Sequence, residues 1–317
     1  MATIYVTGAD GFVGGWLRKA IERRGDSWAA LVCPGRESLL PAGCDFVNLD
    51  LANEQTADLS SLPAPSGLIH LAAISSPPIC EENPELAQAV NVEGPRRLYK
   101  TIFDKWPECP IVHVSSGHVY KPAAHNLSEG EELVPVNVYG RTKLDGETVA
   151  REFQAAGYKI TVVRPFNHTG AGQLPTFALP SFALRLAKLE ADGGGELAVG
   201  WLGGVRDFLH VADVADTYLE ILAHAGEVDL VNVCSGKGQV IGELLDGLLL
   251  HFGDNVRVVC DDLRMRGDAD ASRLVGDISR LEKLLGAVPQ IDVRFLLNEL
   301  VSDARARVAA GESLSDA

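Results

Sequence analysis

Six short apolar runs punctuate the first 165 residues: "TIYVT" (3–7), "WAALV" (28–32), "DFVNL" (45–49), "GLIHLAA" (67–73), "PIVHVSS" (110–116) and "KITVVRP" (159–165). Stretches with helical spacing of apolar residues separate several of them, at about 11–25, 82–104 and 136–156. Runs this apolar mean strands buried on both faces, and helices between strands mean parallel connections. The pattern predicts an α/β chain built on a doubly wound parallel sheet. After Pro165 the rhythm changes. Helices are expected at 177–190, 211–225, 241–252 and 295–310, strands at 228–234 and 256–260, and a surface turn at 192–196. The expected division is residues 1–165 as a nucleotide-binding domain, to which parts of 205–235 return. Residues 166–310 mainly form a smaller C-terminal lobe, and 311–317 a frayed tail.

The first strand runs straight into "VTGADGFVGG", where Gly8, Gly11 and Gly14 are spaced GxxGxxG. Glycine permits a tight turn and close backbone approach, and the helix that follows offers free N–H groups to a diphosphate. The position between the N-terminal strand and an amphipathic helix is the context a dinucleotide site requires. NAD sites usually carry an acid after the second strand for the ribose 2′-hydroxyl. Here the strand ends "ALVCPGRE": Cys33 stands where an acid is expected, and Arg36 is close by. An arginine neutralises a 2′-phosphate, so NADP(H) is favoured, with NAD(H) still admissible. Asp50, after the third strand, is placed to accept a hydrogen bond from adenine.

With 43 acidic against 28 basic residues the net charge is −15, which disfavours nucleic acid and anionic membranes as partners. Cys33, Cys44, Cys80, Cys109, Cys234 and Cys260 are scattered, with no His/Cys cluster at zinc spacing, and read as buried free thiols in a reducing cytoplasm. The N-terminus lacks the basic and apolar regions of a signal peptide, and no run has the ~18 apolar residues of a membrane span.

"VNVYGRTKLDGE" (136–147) sets Tyr139 and Lys143 one helical turn apart, on one face. Alone, such a pair is ordinary helix decoration. "VSSGHVYK" (114–121) changes its weight, because it ends the fifth strand on the carboxyl edge where ligands bind in such sheets. A serine there can meet Tyr139 over one substrate.

"TGADGFVG", "HLAA", "NVEG", "SSGHVY", "YGRTK", "RPFNHTGAGQ", "VRDFLHVADVA" and "VNVCSGKG" occur in the order of the extended short-chain dehydrogenase/reductase superfamily, which the chain resembles over nearly its whole length. "RPFNHTGAGQ", "RDFLHVADV" and "NVCSGK" are similar to those of GDP-4-keto-6-deoxy-D-mannose reductases, which make GDP-D-rhamnose. The resemblance implies a Rossmann-like sheet with a substrate-binding lobe, and a homodimer is expected. It implies a catalytic set of Ser116, Tyr139 and Lys143. Tyr139 would be the general acid/base, with Lys143 lowering its pKa and holding the cofactor ribose. An ammonium ~4 Å away at an effective dielectric of ~20 bounds that lowering at about three units. Further cofactor contacts are implied at Phe12, Val13, Leu51, Leu71, Ala72 and Ala73. The nucleotide-sugar substrate would meet Ser116, Gly117, His118 and Asn167, with Arg206 and Arg266 on its phosphates. Arg264 competes with Arg266 for that role, and His168 and His210 read as structural.

Lys121, where the family carries glycine after "VY", and "LPTFALP" depart from the pattern and leave sugar and base open. A sugar 4-epimerase would use the same Ser/Tyr/Lys set with tightly held NAD. A dehydratase needs an extra acid beside the serine, and Gly117 and His118 supply no carboxylate. A non-enzymatic NADP sensor of this fold would commonly have lost the tyrosine or the lysine.

Overall fold

The computed structural model describes residues 2–53, 58–253, 255–262 and 273–312. The chain opens with β1 (Thr3–Thr7), α1 (Phe12–Arg23), β2 (Ser27–Val32), β3 (Asp45–Asn48) and β4 (Gly67–His70). Helices α2 (Pro77–Glu82), α3 (Pro84–Gln88) and α4 (Gly94–Lys105) follow, then β5 (Ile111–Val114), α5 (Val138–Ala155) and β6 (Ile160–Pro165). Next come β7 (Asn167–Thr169), α6 (Ala178–Ala191), β8 (Gly195–Val199), β9 (Val205–His210), α7 (Val211–Ala223) and β10 (Leu230–Val233). Last are β11 (Gly238–Val240), α8 (Ile241–Leu249), β12 (Val256–Cys260), β13 (Arg273–Leu274), α9 (Ser279–Leu285) and α10 (Val293–Ala309).

Seven strands form one sheet in the order β10-β6-β5-β4-β1-β2-β3, and every pairing in it is parallel. β4 and β6 are buried along their whole length, as strands covered on both faces must be. Leu17 and Ile21 of α1 pack with Val214, Tyr218 and Ile221 of α7 on one face. Leu98 and Ile102 of α4 pack with Val149 and Ala150 of α5 on the other. Each such Val, Leu or Ile side chain contributes about 1.5–3 kcal/mol by leaving water. The sheet is Rossmann-like and doubly wound, as the apolar runs predict. The order in which its strands are added reverses between β1 and β4, so the binding crevice opens at their carboxyl ends.

A smaller sheet has β9 at its centre, paired with β7, β11 and β13, and β8 pairs with β12. Beside them, α6, α8 and α10 close on an apolar core that includes Leu186, Leu197, Leu248 and Leu300.

Three expectations are refined. The helix expected at about 82–104 runs over 84–105, starting at Pro84, which has no N–H to continue α2, and widening into a π turn at 89–93. In the segment 192–196, Gly193 and Gly194 do turn at positive φ, but Gly195 already starts β8. The thiols are not uniformly buried: Cys80, Cys109 and Cys234 are, Cys44 is half-buried, and Cys33 and Cys260 are exposed.

Candidate active site

Gly8, at the carboxyl end of β1, has φ +67°, and a Cβ there would stand 3.1 Å from the Ala72 nitrogen. A Cβ on Gly14 would lie 2.2 Å from the Gly8 carbonyl oxygen, so α1 touches the loop backbone directly. Gly11 donates its N–H to Gly8 O at 3.0 Å and stands at the N-cap of α1 without a side-chain cap. The first turn of α1, with Phe12 and Val13, therefore keeps its N–H groups for an anion, and the glycine cradle fits a dinucleotide diphosphate. Leu71, Ala72 and Ala73 follow β4 past this loop, where Thr7 Oγ1 accepts from Ala72 N at 3.1 Å. Leu51 is buried against Gly94, and Asp50 Oδ1 accepts from Ala52 N at 2.9 Å. Arg36 is paired through its Nε with Asp10 of the glycine loop.

At the end of β5, Ser115 Oγ donates to Glu147 Oε1 at 2.6 Å inside the sheet, and Ser116 Oγ accepts from His118 N at 3.2 Å. The α5 N-terminus packs on this turn so closely that a Cβ on Gly140 would be 2.7 Å from His118 O. Asn137 Oδ1 caps the helix by accepting from Gly140 N at 2.8 Å, and Glu81 Oε1 of α2 accepts from Val138 N at 2.8 Å. Tyr139 is thereby carried beside Ser116, whose side chain is near enough to act on the phenol's pKa. The His118 ring stands edge-on to the Tyr139 ring at 6.0 Å.

The electrostatics correct one expectation. Burial raises the Tyr139 pKa above its ordinary value; the Ser116 side chain opposes this, and Cys80 adds to it. The Lys143 ammonium donates to the Val114 carbonyl oxygen rather than governing the phenol. Burial brings its pKa down to about 8, with Glu147 and Cys80 pulling upward. Desolvation is the largest influence on the phenol.

His118 is pushed down to about 4 by burial and by the Arg206 cation, so its ring is neutral at pH 7. On β9, strand alternation sends Arg206 and Asp207 to opposite sides. Asp207 takes Ser235 N at 2.8 Å, Ser235 Oγ at 2.6 Å and Gly236 N at 2.9 Å, which leaves Arg206 on the His118 side. Asn167 begins β7, and the next residue, His168, stacks on Phe12 at 6.4 Å. Arg266 and Arg264 lie outside the described residues.

Other groups shape the site without having stood out in the sequence. Asn91, inside "NVEG", bonds Ile74 N at 2.8 Å and Thr142 Oγ1 at 2.9 Å, tying the loop after β4 to α5. Glu299 of α10 accepts from Ala171 N at 3.0 Å and is 2.8 Å from His210 Nε2. Trp16 Nε1 of α1 donates to Ala171 O at 3.3 Å. Among the described residues, no group of three or more His, Cys, Asp and Glu side chains is arranged to hold a metal ion, and no helix is long and apolar enough to cross a membrane.

The chain is 32% identical to GDP-6-deoxy-D-mannose reductase of Pseudomonas aeruginosa, covering 96% of this chain and 98% of that protein. It is 27% identical to GDP-6-deoxy-D-talose 4-dehydrogenase of Aggregatibacter actinomycetemcomitans, covering 94% and 96%. Its fold superposes on the structure of RMD from Pseudomonas aeruginosa complexed with NADPH with a TM-score of 0.84 at 29% identity, covering 97% and 100%. A profile of the NAD dependent epimerase/dehydratase family matches residues 4–234, a span that runs from β1 through the serine and tyrosine motifs to β10, and the chain belongs to that family.

Proposed function

We propose that the protein uses NADPH to reduce the 4-keto group of a nucleotide-linked 4-keto-6-deoxyhexose. The substrate is GDP-4-keto-6-deoxy-D-mannose, and the product GDP-D-rhamnose or its talose epimer. The observation that carries this reading is the buried Tyr139 phenol beside Ser116, with its pKa raised by burial. A reductase must begin each turnover with the proton on its acid, and burial keeps Tyr139 loaded at neutral pH.

Reduced nicotinamide, when bound along the glycine loop, supplies the hydride for the carbonyl carbon. Tyr139 gives its proton to the oxygen as negative charge builds there. Ser116 can donate to the same oxygen, which stabilises the charge where it develops. Lys143 holds the cofactor ribose and places a positive charge below the phenol. Arg206 takes the substrate diphosphate, and Asn167 and His118 the sugar end, with the His118 ring neutral. Water elimination would need a carboxylic acid beside Ser116, and neither Gly117 nor His118 is one. The names of the reductase and the talose 4-dehydrogenase relatives support a GDP-linked 6-deoxyhexose, and the NADPH complex of RMD supports the cofactor. A homodimer in the cytoplasm belongs to the same reading.

The test is to supply GDP-4-keto-6-deoxymannose with NADPH, follow the nicotinamide absorbance, and identify the sugar by NMR. Tyr139→Phe should keep cofactor binding and lose ~2–4 orders of magnitude in turnover. Normal turnover by that variant would remove Tyr139 from the chemistry. Reduction of dTDP-, UDP- or CDP-linked keto sugars alone would keep the chemistry and overturn the GDP assignment.

A further inference from the structure

The segment Cys33-Pro34-Gly35-Arg36 ends β2 in a tight turn. Pro34 presets the second position, Gly35 takes the third at φ +85°, and Arg36 N donates to Cys33 O at 3.1 Å. These are the features of a type II turn. The turn throws the Arg36 side chain back over the glycine loop, where its Nε meets Asp10 Oδ2. The two partners differ in setting: the Asp10 side chain is only 8% exposed, whereas that of Arg36 is 52% exposed. A guanidinium has three edges, and Asp10 occupies the one nearest the chain. With Asp10 paired at Nε and the side chain half exposed, the two terminal nitrogens are left for bidentate phosphate binding.

Neighbouring carboxylates do not compete for that guanidinium. The N–H groups of Glu37 and Gly35 hold the Glu37 carboxyl below the usual range. Asp50 is turned into its own bond with Ala52 N. Asp10 alone, from inside the GxxGxxG loop, reaches across to Arg36 among the described residues.

We propose that Asp10 is a positioning residue for cofactor choice: it anchors Arg36 by the Nε edge so that the terminal nitrogens receive the 2′-phosphate of NADPH. This rests on the NADPH reading above and adds a residue to it. A loop residue next to the diphosphate cradle thus also sets the reader of the adenosine end.

The experiment titrates NADPH and NADH by fluorescence against the full chain, Arg36→Gln, Asp10→Ala, Asp10→Glu and the Arg36→Gln/Asp10→Ala double variant. Arg36→Gln should remove most of the preference for NADPH. Asp10→Ala should lower the NADPH-to-NADH preference about fivefold, the upper end for an exposed ion pair. NADH affinity should be nearly unchanged, and Asp10→Glu should recover part of the preference. The double variant should discriminate no less than Arg36→Gln alone, because Asp10 acts through Arg36. Damage to the glycine loop would weaken both cofactors alike and leave their ratio fixed. An unchanged or increased ratio in Asp10→Ala overturns the role of Asp10 while Arg36 keeps its own. An unchanged ratio in Arg36→Gln overturns the 2′-phosphate reading itself, and Asp10 falls with it.

Discussion

Beneath β5, Glu147 and Arg164 are wholly buried and paired through two hydrogen bonds of 2.7 and 2.8 Å. Arg164 goes on to the Tyr120 hydroxyl at 2.8 Å, which donates to Asn232 Oδ1 at 2.7 Å. The core enclosed by α6, β8, α8 and α10 is different: among the described residues its buried side chains are all apolar. Its ion pairs, such as Arg305–Glu190 and Arg257–Glu196, lie outside in water. A buried charge is tolerated only when every lone pair and proton is answered, so it accepts few arrangements of its neighbours. That restriction is useful under β5, where Ser115 bonds the same Glu147 and Ser116 is the next residue. The small lobe has only to hold β9 and Arg206 in place, and apolar packing does that with more tolerance for change.

Glu147→Gln should break the contrast most. It leaves the Arg164 charge buried without its counter-ion and should cost about 3–5 kcal/mol in urea unfolding. A cost below about 1 kcal/mol would mean that water answers Arg164 and that the network fixes nothing. Leu248→Ala, in the apolar lobe, should cost about 3 kcal/mol through the cavity it leaves. The lobe variant should keep turnover per folded molecule, whereas Glu147→Gln should lose part of it through misplacement of Ser116.

Acid should separate the halves further, by a smaller amount. Burial, and then Lys143, hold His70 at about 3 in the fold against an ordinary 6.5. The unfolded chain therefore binds protons first. This part of the stability is complete above about pH 6.5 and drains away as pH falls toward 3. At pH 5 the loss should be about 2 kcal/mol, from 1.36 kcal/mol per unit. His70→Asn should flatten the unfolding profile between about pH 6.5 and 4. An equally steep profile in that variant would show that other groups, such as the buried His113 and His118, and not this imidazole, govern acid unfolding.

The two halves also differ in how far their sequence announces them. β1, β2, β4, β5 and β6 show themselves because burial on both faces demands unbroken apolar runs. β7, β11 and β13 have only two or three residues each, too few to display a period. β9 reads "VRDFLH", its charges hidden by long-range partners rather than by composition. Tyr139, Lys143 and Ser116 were legible because spacing and strand-end position are local properties. Asn91, Glu81 and Glu299 were not, since each acts on a segment far away in sequence. The phenol's pKa was misjudged because a helix turn reveals the nearby ammonium but not the burial around both.

The bond from Glu299 to Ala171, with Trp16 on the other side of that residue, joins the two ends of the sequence over one loop. A ribosome releases the glycine loop early and α10 only near the end of the described chain. Domains fold as they emerge, amino-terminal parts first. The loop at 170–173 therefore meets Trp16 first and gains its second fastening only when Glu299 is made. A product shortened ahead of Glu299 would keep the Trp16 half of this clasp and lose the other, so α10 acts on the site as a late-made fastening.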